Sequence, residues 1–183
     1  TVQIGTQCWM AENLNVGDMI NDTLEMTDNG VIEKYCYNND PANCETYGGL
    51  YQWNEIMEYT TTQGVQGICT ADWHIPTDDE WTIVTDFLGG EDVAGGKMKE
   101  TGTIHWSPPN TAATNESGFT ALPGGRRNSY GGSFNNLGSF GYFWSSSEYY
   151  TNAWKWYMTY NYGYLHRVNS NKAQGISVRC LRD

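Results

Sequence analysis

Apolar positions along the chain change their period from one stretch to the next. Val2 to Met10 alternates closely enough to predict a strand. Asn13 to Gly30 is polar and punctuated by Asn, Asp and Gly, which predicts a loop with at most a short hairpin, and Tyr35 to Cys44 reads as a second loop. From Gly49 onward Leu50, Trp53, Ile56 and Met57 recur at helical spacing and predict a helix of about three turns. The clearest local pattern follows at Pro76-Thr77-Asp78-Asp79-Glu80-Trp81. Thr77 and Glu80 form a capping box, Trp81, Val84, Phe87 and Leu88 form an apolar face, and Gly89-Gly90 supplies a stop, so a helix is predicted over Asp78 to Leu88. Gly90 to Lys97 has the look of a phosphate loop but lacks its first glycine and its Ser/Thr, and predicts a turn. Beyond Gly102 short aromatic or β-branched runs remain, Phe119 to Leu122, Tyr142 to Ser145, Trp154 to Tyr160 and Ile176 to Leu181, separated by Gly, Asn, Ser and Pro. Helices early and strands late, without a linker or a repeat, predict one α+β domain over residues 1–183.

Composition narrows the class. Charged residues make up 17% of 183, whereas Gly (21), Tyr (13) and Trp (8) are abundant, as in turn-rich, aromatic-rich extracellular folds. The net charge of -11 opposes a phosphate backbone, so nucleic acid is not an expected partner. The charge is uneven: residues 1–100 carry 18 acids and 3 bases (-15), residues 101–183 carry 3 acids and 7 bases (+4). Any preference for anionic ligands therefore belongs to the C-terminal half. No apolar run is long enough for a membrane span, and no basic-then-apolar signal segment opens the chain.

Five cysteines fall in no CxxC pair, which disfavours zinc ribbons and thioredoxin-type chemistry. Structural disulfides in an oxidising compartment are expected, Cys36 with Cys44 closing a tight loop and Cys69 with Cys180 tying the middle of the chain to its last strand. Cys8 is then the odd thiol; the alternative is five reduced, buried cysteines.

Five runs carry a resemblance: Gln7-Cys8-Trp9-Met10-Ala11-Glu12-Asn13-Leu14-Asn15, Trp73-His74-Ile75-Pro76-Thr77, Asn115-Glu116-Ser117-Gly118-Phe119 with Leu122-Pro123-Gly124-Gly125, and Gly175-Ile176-Ser177-Val178-Arg179-Cys180. In this order, over essentially the whole chain, they resemble the Fibrobacter succinogenes major paralogous domain family. The resemblance implies a bacterial secreted or surface-anchored protein, often a lipoprotein, mostly without an assigned activity. It further implies a C-type-lectin-like fold, with two helices flanking a small, mostly antiparallel sheet, terminal strands side by side and long irregular ligand-binding loops. That fold is related to formylglycine-generating enzymes and to the variable proteins of diversity-generating retroelements, whose binding surface is diversified.

The candidate binding surface is the stretch from Gly141 to Asn171, with 11 aromatics, four Asn and three formal charges. Rigid amphipathic rings interspersed with small polar groups make a recognition surface, and sugar C–H faces stack on such rings. In Trp154 to Tyr160, Trp154, Trp156, Met158 and Tyr160 fall on one face and Lys155, Tyr157 and Thr159 on the other, one of them core. The residues expected to contact a ligand are Tyr149, Tyr150, Asn152, Tyr157, Tyr162, Tyr164, His166, Asn169 and Asn171, with Arg126, Arg127 and Asn128 orienting an acidic glycan or a partner's carboxylates.

The motifs of a calcium-dependent lectin site are missing. Asn38, Asn39 and Asp40, or Glu91 and Asp92, are the oxygen donors available for Ca²⁺, and no EF-hand spacing accompanies them; no other cofactor is expected. Ser145, Ser146 and Ser147 and the three histidines lie in no G-x-S-x-G context, and a single cysteine near the C-terminus does not support formylglycine-generating chemistry. The expected function is thus a non-enzymatic extracellular binding or adhesion domain whose partner is a glycan or a cell-surface protein. The alternatives are a structural module of a larger surface assembly and, third, a hydrolytic enzyme.

Overall fold

The computed structural model describes residues 1–183. Its elements run β1 (Val2–Ile4), β2 (Gln7–Trp9), β3 (Asp18–Met19), β4 (Glu33–Lys34), α1 (Pro41–Tyr47), α2 (Trp53–Ile56), β5 (Trp73–His74), α3 (Asp78–Phe87), α4 (Glu91–Met98), β6 (Arg126–Arg127), β7 (Phe134–Asn135), β8 (Phe140–Tyr149), β9 (Asn152–Thr159), β10 (His166–Asn171) and β11 (Leu181–Arg182). The chain is a mixed α/β domain with four α-helices and several small sheets. One sheet has the order β1-β2-β11-β5 and so lays the two ends of the chain side by side; a second has the order β10-β9-β8. Both are antiparallel throughout, whereas the β3–β4 pair is parallel.

The β8–β9 ribbon divides the core. Phe143, Trp156 and Met158 pack on one side with Trp9, Trp81 and Phe119, and Tyr142, Trp144 and Ala153 on the other with Tyr51, Trp53, Ile56 and Cys180. Trp81 stacks on Trp156 with ring centroids 6.2 Å apart, which seats α3 on the sheet. Asp78 adds a polar clamp at the start of α3, accepting from Trp156 Nε1 at 2.9 Å and Arg167 Nε at 2.7 Å. Both faces of β9 are largely core, Lys155 included, rather than only one.

Two disulfides hold the periphery to this core, Cys36–Cys44 and Cys69–Cys180, the two pairs expected from the sequence; Cys8 is free and half-buried. Two structural disulfides fit an oxidising, non-cytoplasmic environment. No helix is long and apolar enough to cross a membrane.

Helix α3 begins as predicted, with both bonds of the capping box present. Elsewhere the chain departs from its pattern. Gly90 to Lys97 is not a turn but most of α4, because Gly95 and Gly96 face backbone at close range: a Cβ on Gly95 would meet Tyr164 O at 2.1 Å, and one on Gly96 would meet Ala112 O at 2.4 Å. Packing overrides the low helix propensity of glycine. The three-turn helix expected from Gly49 shortens to Trp53–Ile56, since Leu50 and Tyr51 bridge to Tyr35 and Ile176 and the left-handed Glu58 and Tyr59 close the far end. The expected loop Tyr35 to Cys44 contains the start of α1, whose N-cap is Asp40 with Pro41 at the first helical position. Val2 to Met10 is a hairpin rather than one strand. Phe119 to Leu122 is not a strand; only Ala121 bridges, to Lys99. Of Ile176 to Leu181, Leu181 alone lies in a strand, with Ile176 and Ser177 making single bridges.

Candidate functional site

The expected binding residues do not form one face, because strand register sorts them. In β8, β9 and β10, Tyr142 pairs with Tyr157 and Tyr157 with His166, so these three share one face of the sheet. By the same alternation Asn152, Trp154, Arg167, Asn169 and Asn171 belong to the opposite face.

On the first face the aromatic side chains run on from strand to loop as a ridge. His166 stacks on Tyr157 at 4.8 Å, Tyr164 meets His166 edge-on at 5.5 Å, and Tyr162 lies parallel to Tyr164 at 5.5 Å with 3° between planes. Tyr162 and Tyr164 are 50% and 40% exposed. The loop that carries them is fixed from beneath. Buried Lys99 donates to Thr159 O, Tyr162 O and Thr111 O at 2.8–2.9 Å, Gly96 N donates to Gly163 O, and Leu165 N to Glu91 O. Burial pulls the Lys99 ammonium down to about 8. Helix α4, with its two small residues, is thus what lets the ridge sit close to the body.

At its other end the ridge enters a cleft of about 300 Å³ lined by Arg126, Phe140, Tyr142, Lys155, Tyr157, Val168, Asn169 and Ser170. Arg126 and Lys155 both lie over the Tyr142 ring, at 5.6 and 4.6 Å from its centre. Lys155 is 4% exposed, and burial, reinforced by the charge of Arg126, lowers it to about 7.

Residues of the second face cluster around the hairpin between β8 and β9. Tyr149 packs on Trp154 at 4.7 Å and on Tyr150 at 4.9 Å, and Tyr150 occupies the turn, left-handed and exposed. The Arg167 guanidinium lies 3.6 Å from the centre of the Trp154 ring. Asn152 Nδ2 donates to Asn169 Oδ1, and Asn171 Oδ1 accepts from Ala173 N.

The basic pair separates. Arg126 reaches the cleft, whereas Arg127 is 1% exposed and donates to Asp22 O, Leu24 O and Glu25, so it ties the N-terminal loops down and cannot meet a ligand. Adjacent strand positions point to opposite sides, which is why only one of the pair is available. Asn128 lies in the β6–β7 turn with its amide on Ser133 Oγ. Lys155 is not among the residues expected to contact a ligand; the trace it leaves in the sequence is a cation on the same strand face as Tyr157.

Other candidate chemistry is committed to structure. Ser145 Oγ donates to Trp154 O, Ser146 Oγ to Pro76 O and Ser147 Oγ to Gln63 Oε1, all three being buried. His74 is held between Glu80 at 3.0 Å and Asp183 at 2.6 Å, and the bond to Glu80 chiefly raises its pKa. Of the oxygen donors considered for Ca²⁺, Asn39 pairs with Asp22, Asp40 caps α1, and Glu91 and Asp92 occupy the first turn of α4. No group of three or more His, Cys, Asp or Glu side chains is gathered to hold a metal ion.

Fold and surface together define a disulfide-tied α/β domain that carries an ordered aromatic ridge on its C-terminal sheet. The family model of the Fibrobacter succinogenes major domain matches residues 2–182, and the chain belongs to that family. Comparison with curated proteins finds no match, nor does comparison with solved structures.

Proposed function

We propose that this is a non-enzymatic binding domain of an extracellular or surface-attached bacterial protein, of C-type-lectin-like architecture, that takes a glycan through the ridge from Tyr157 to Tyr162. The observation that carries this reading is the ridge itself: four rings in contact one after another, exposed at the end where α4 and Lys99 hold the loop in place. Exposed apolar area on a rigid support binds without an ordering cost, and flat rings suit the C–H faces of pyranoses. Strand β11 beside β2 and the irregular loops support the lectin-like reading of the fold. Committed serines and a structural His74 support a role other than hydrolysis. Tyr149, Tyr150, Asn152 and Asn171 form a second patch at the β8–β9 turn, which suits a protein partner in a surface assembly.

The test is binding to a panel of plant cell-wall polysaccharides, host glycans and bacterial surface preparations, with and without chelator. Chelator-resistant glycan binding is expected. Binding abolished by chelation contradicts the aromatic reading, and silence across the glycans favours a structural or protein-binding module.

A further inference from the structure

The cleft at the end of the ridge is lined by two basic side chains and no acidic one. Seven ion pairs occur in the molecule, and neither Arg126 nor Lys155 belongs to any of them. Lys155 Nζ donates to Gln174 Oε1 at 2.8 Å, and that oxygen also accepts from Ser170 Oγ, so one acceptor serves an ammonium with three donors. Arg126 uses only Nε, on Asn135 Oδ1 at 2.9 Å; its two terminal amino groups meet no protein acceptor. In a chain with 21 acids, leaving a buried ammonium and an arginine together without a carboxylate is costly, and a bound anion offsets that cost. Beside the cations Phe140 and Tyr157 offer ring surface, 6.1 Å apart and tilted, with Ser170 as a hydroxyl partner on the wall.

We propose that this cleft is a subsite for a carboxylated pyranose within a glycan, its carboxylate held between Arg126 and Lys155 and its ring lying against Phe140 and Tyr157. The assignment rests on the glycan reading above and names the sugar class that reading leaves open. Arg126 supplies the planar fork that suits a carboxylate, and Lys155 supplies a point charge at the base of the cleft. Both uronates and sialic acids carry this chemistry.

Two probe pairs separate the possibilities: trigalacturonate against its methyl ester, and 3′-sialyllactose against lactose, each titrated into the intact domain. At least a tenfold preference for the acidic member of one pair is expected, and the pair that shows it identifies the source. Arg126→Gln and Lys155→Met should each reduce that preference several-fold while neutral-glycan binding through the ridge persists. Equal binding of acidic and neutral members overturns the carboxylate subsite and leaves the ridge reading standing. So does binding of neutral polysaccharides with neither acidic probe bound. If no glycan binds at all, both readings fall.

Discussion

The two disulfides should differ about twofold in what they contribute to stability. Cys36–Cys44 closes a sequence separation of 8 and Cys69–Cys180 one of 111. In the chain-entropy model these loops correspond to about 2.5 and about 5 kcal/mol. All four cysteines are buried, so the packing lost on replacement by Ala is similar for both pairs, and the difference of about 2 kcal/mol isolates the entropic part. Unfolding entropy of about 2.1 cal/mol/K per residue translates this difference into about 6 °C in Tm for a chain of 183 residues. The assay is thermal unfolding of Cys36→Ala/Cys44→Ala and Cys69→Ala/Cys180→Ala, both in a Cys8→Ala background that prevents exchange with the free thiol. Equal losses, or a greater loss from the short loop, would refute the argument and show that local packing governs both sites.

Other expectations follow from the buried charges and the ridge. Asp78→Asn should cost about 2 kcal/mol in denaturant unfolding, since it weakens two bonds that dock α3 on β9 and β10; a loss below about 0.5 kcal/mol would mean the Trp81 stack alone suffices. Lys155 is faced by Arg126 from β6, Tyr142 from β8, Tyr157 on its own strand and, beyond Tyr157, His166 from β10. Its folded value of about 7 lies below the ordinary lysine value of 10.5, so between them the unfolded chain binds more protons and stability rises with pH. Melting followed from pH 7 to 9.5 should show that rise in the native protein and a flatter profile in Lys155→Met; parallel profiles would contradict it. Burial of Lys99 adds a rise of the same sign from about 8 upward, which both proteins retain.

Features that depend on local chemistry were legible in the chain. The Thr77/Glu80 box specifies the start of α3 from four consecutive residues, and the absence of CxxC pairs leaves disulfides as the natural use of the cysteines. Asp40 with Pro41 starts α1 in the same local way, a signal that the loop expected over Tyr35 to Cys44 overlooks. Helix α4 was not legible, because what makes Gly95 and Gly96 acceptable is the backbone of Ala112, Gly163 and Tyr164, remote in sequence. Strand β10 was hidden for a related reason: His166 to Asn171 has polar groups on both faces at a sheet edge, so no apolar alternation marks it. Composition marks the aromatic stretch in the sequence, but only strand register separates Tyr157 and His166 from Asn152 and Asn169, and only burial removes Arg127 from the surface.

The ridge is tested most directly by comparing glycan binding by the native domain and by Tyr162→Ala/Tyr164→Ala, with melting recorded on both. Rings that are 50% and 40% exposed should cost about 1–2 kcal/mol of stability together when truncated, while binding falls at least tenfold. Undiminished binding with the fold intact would contradict the claim that the ridge is the binding surface.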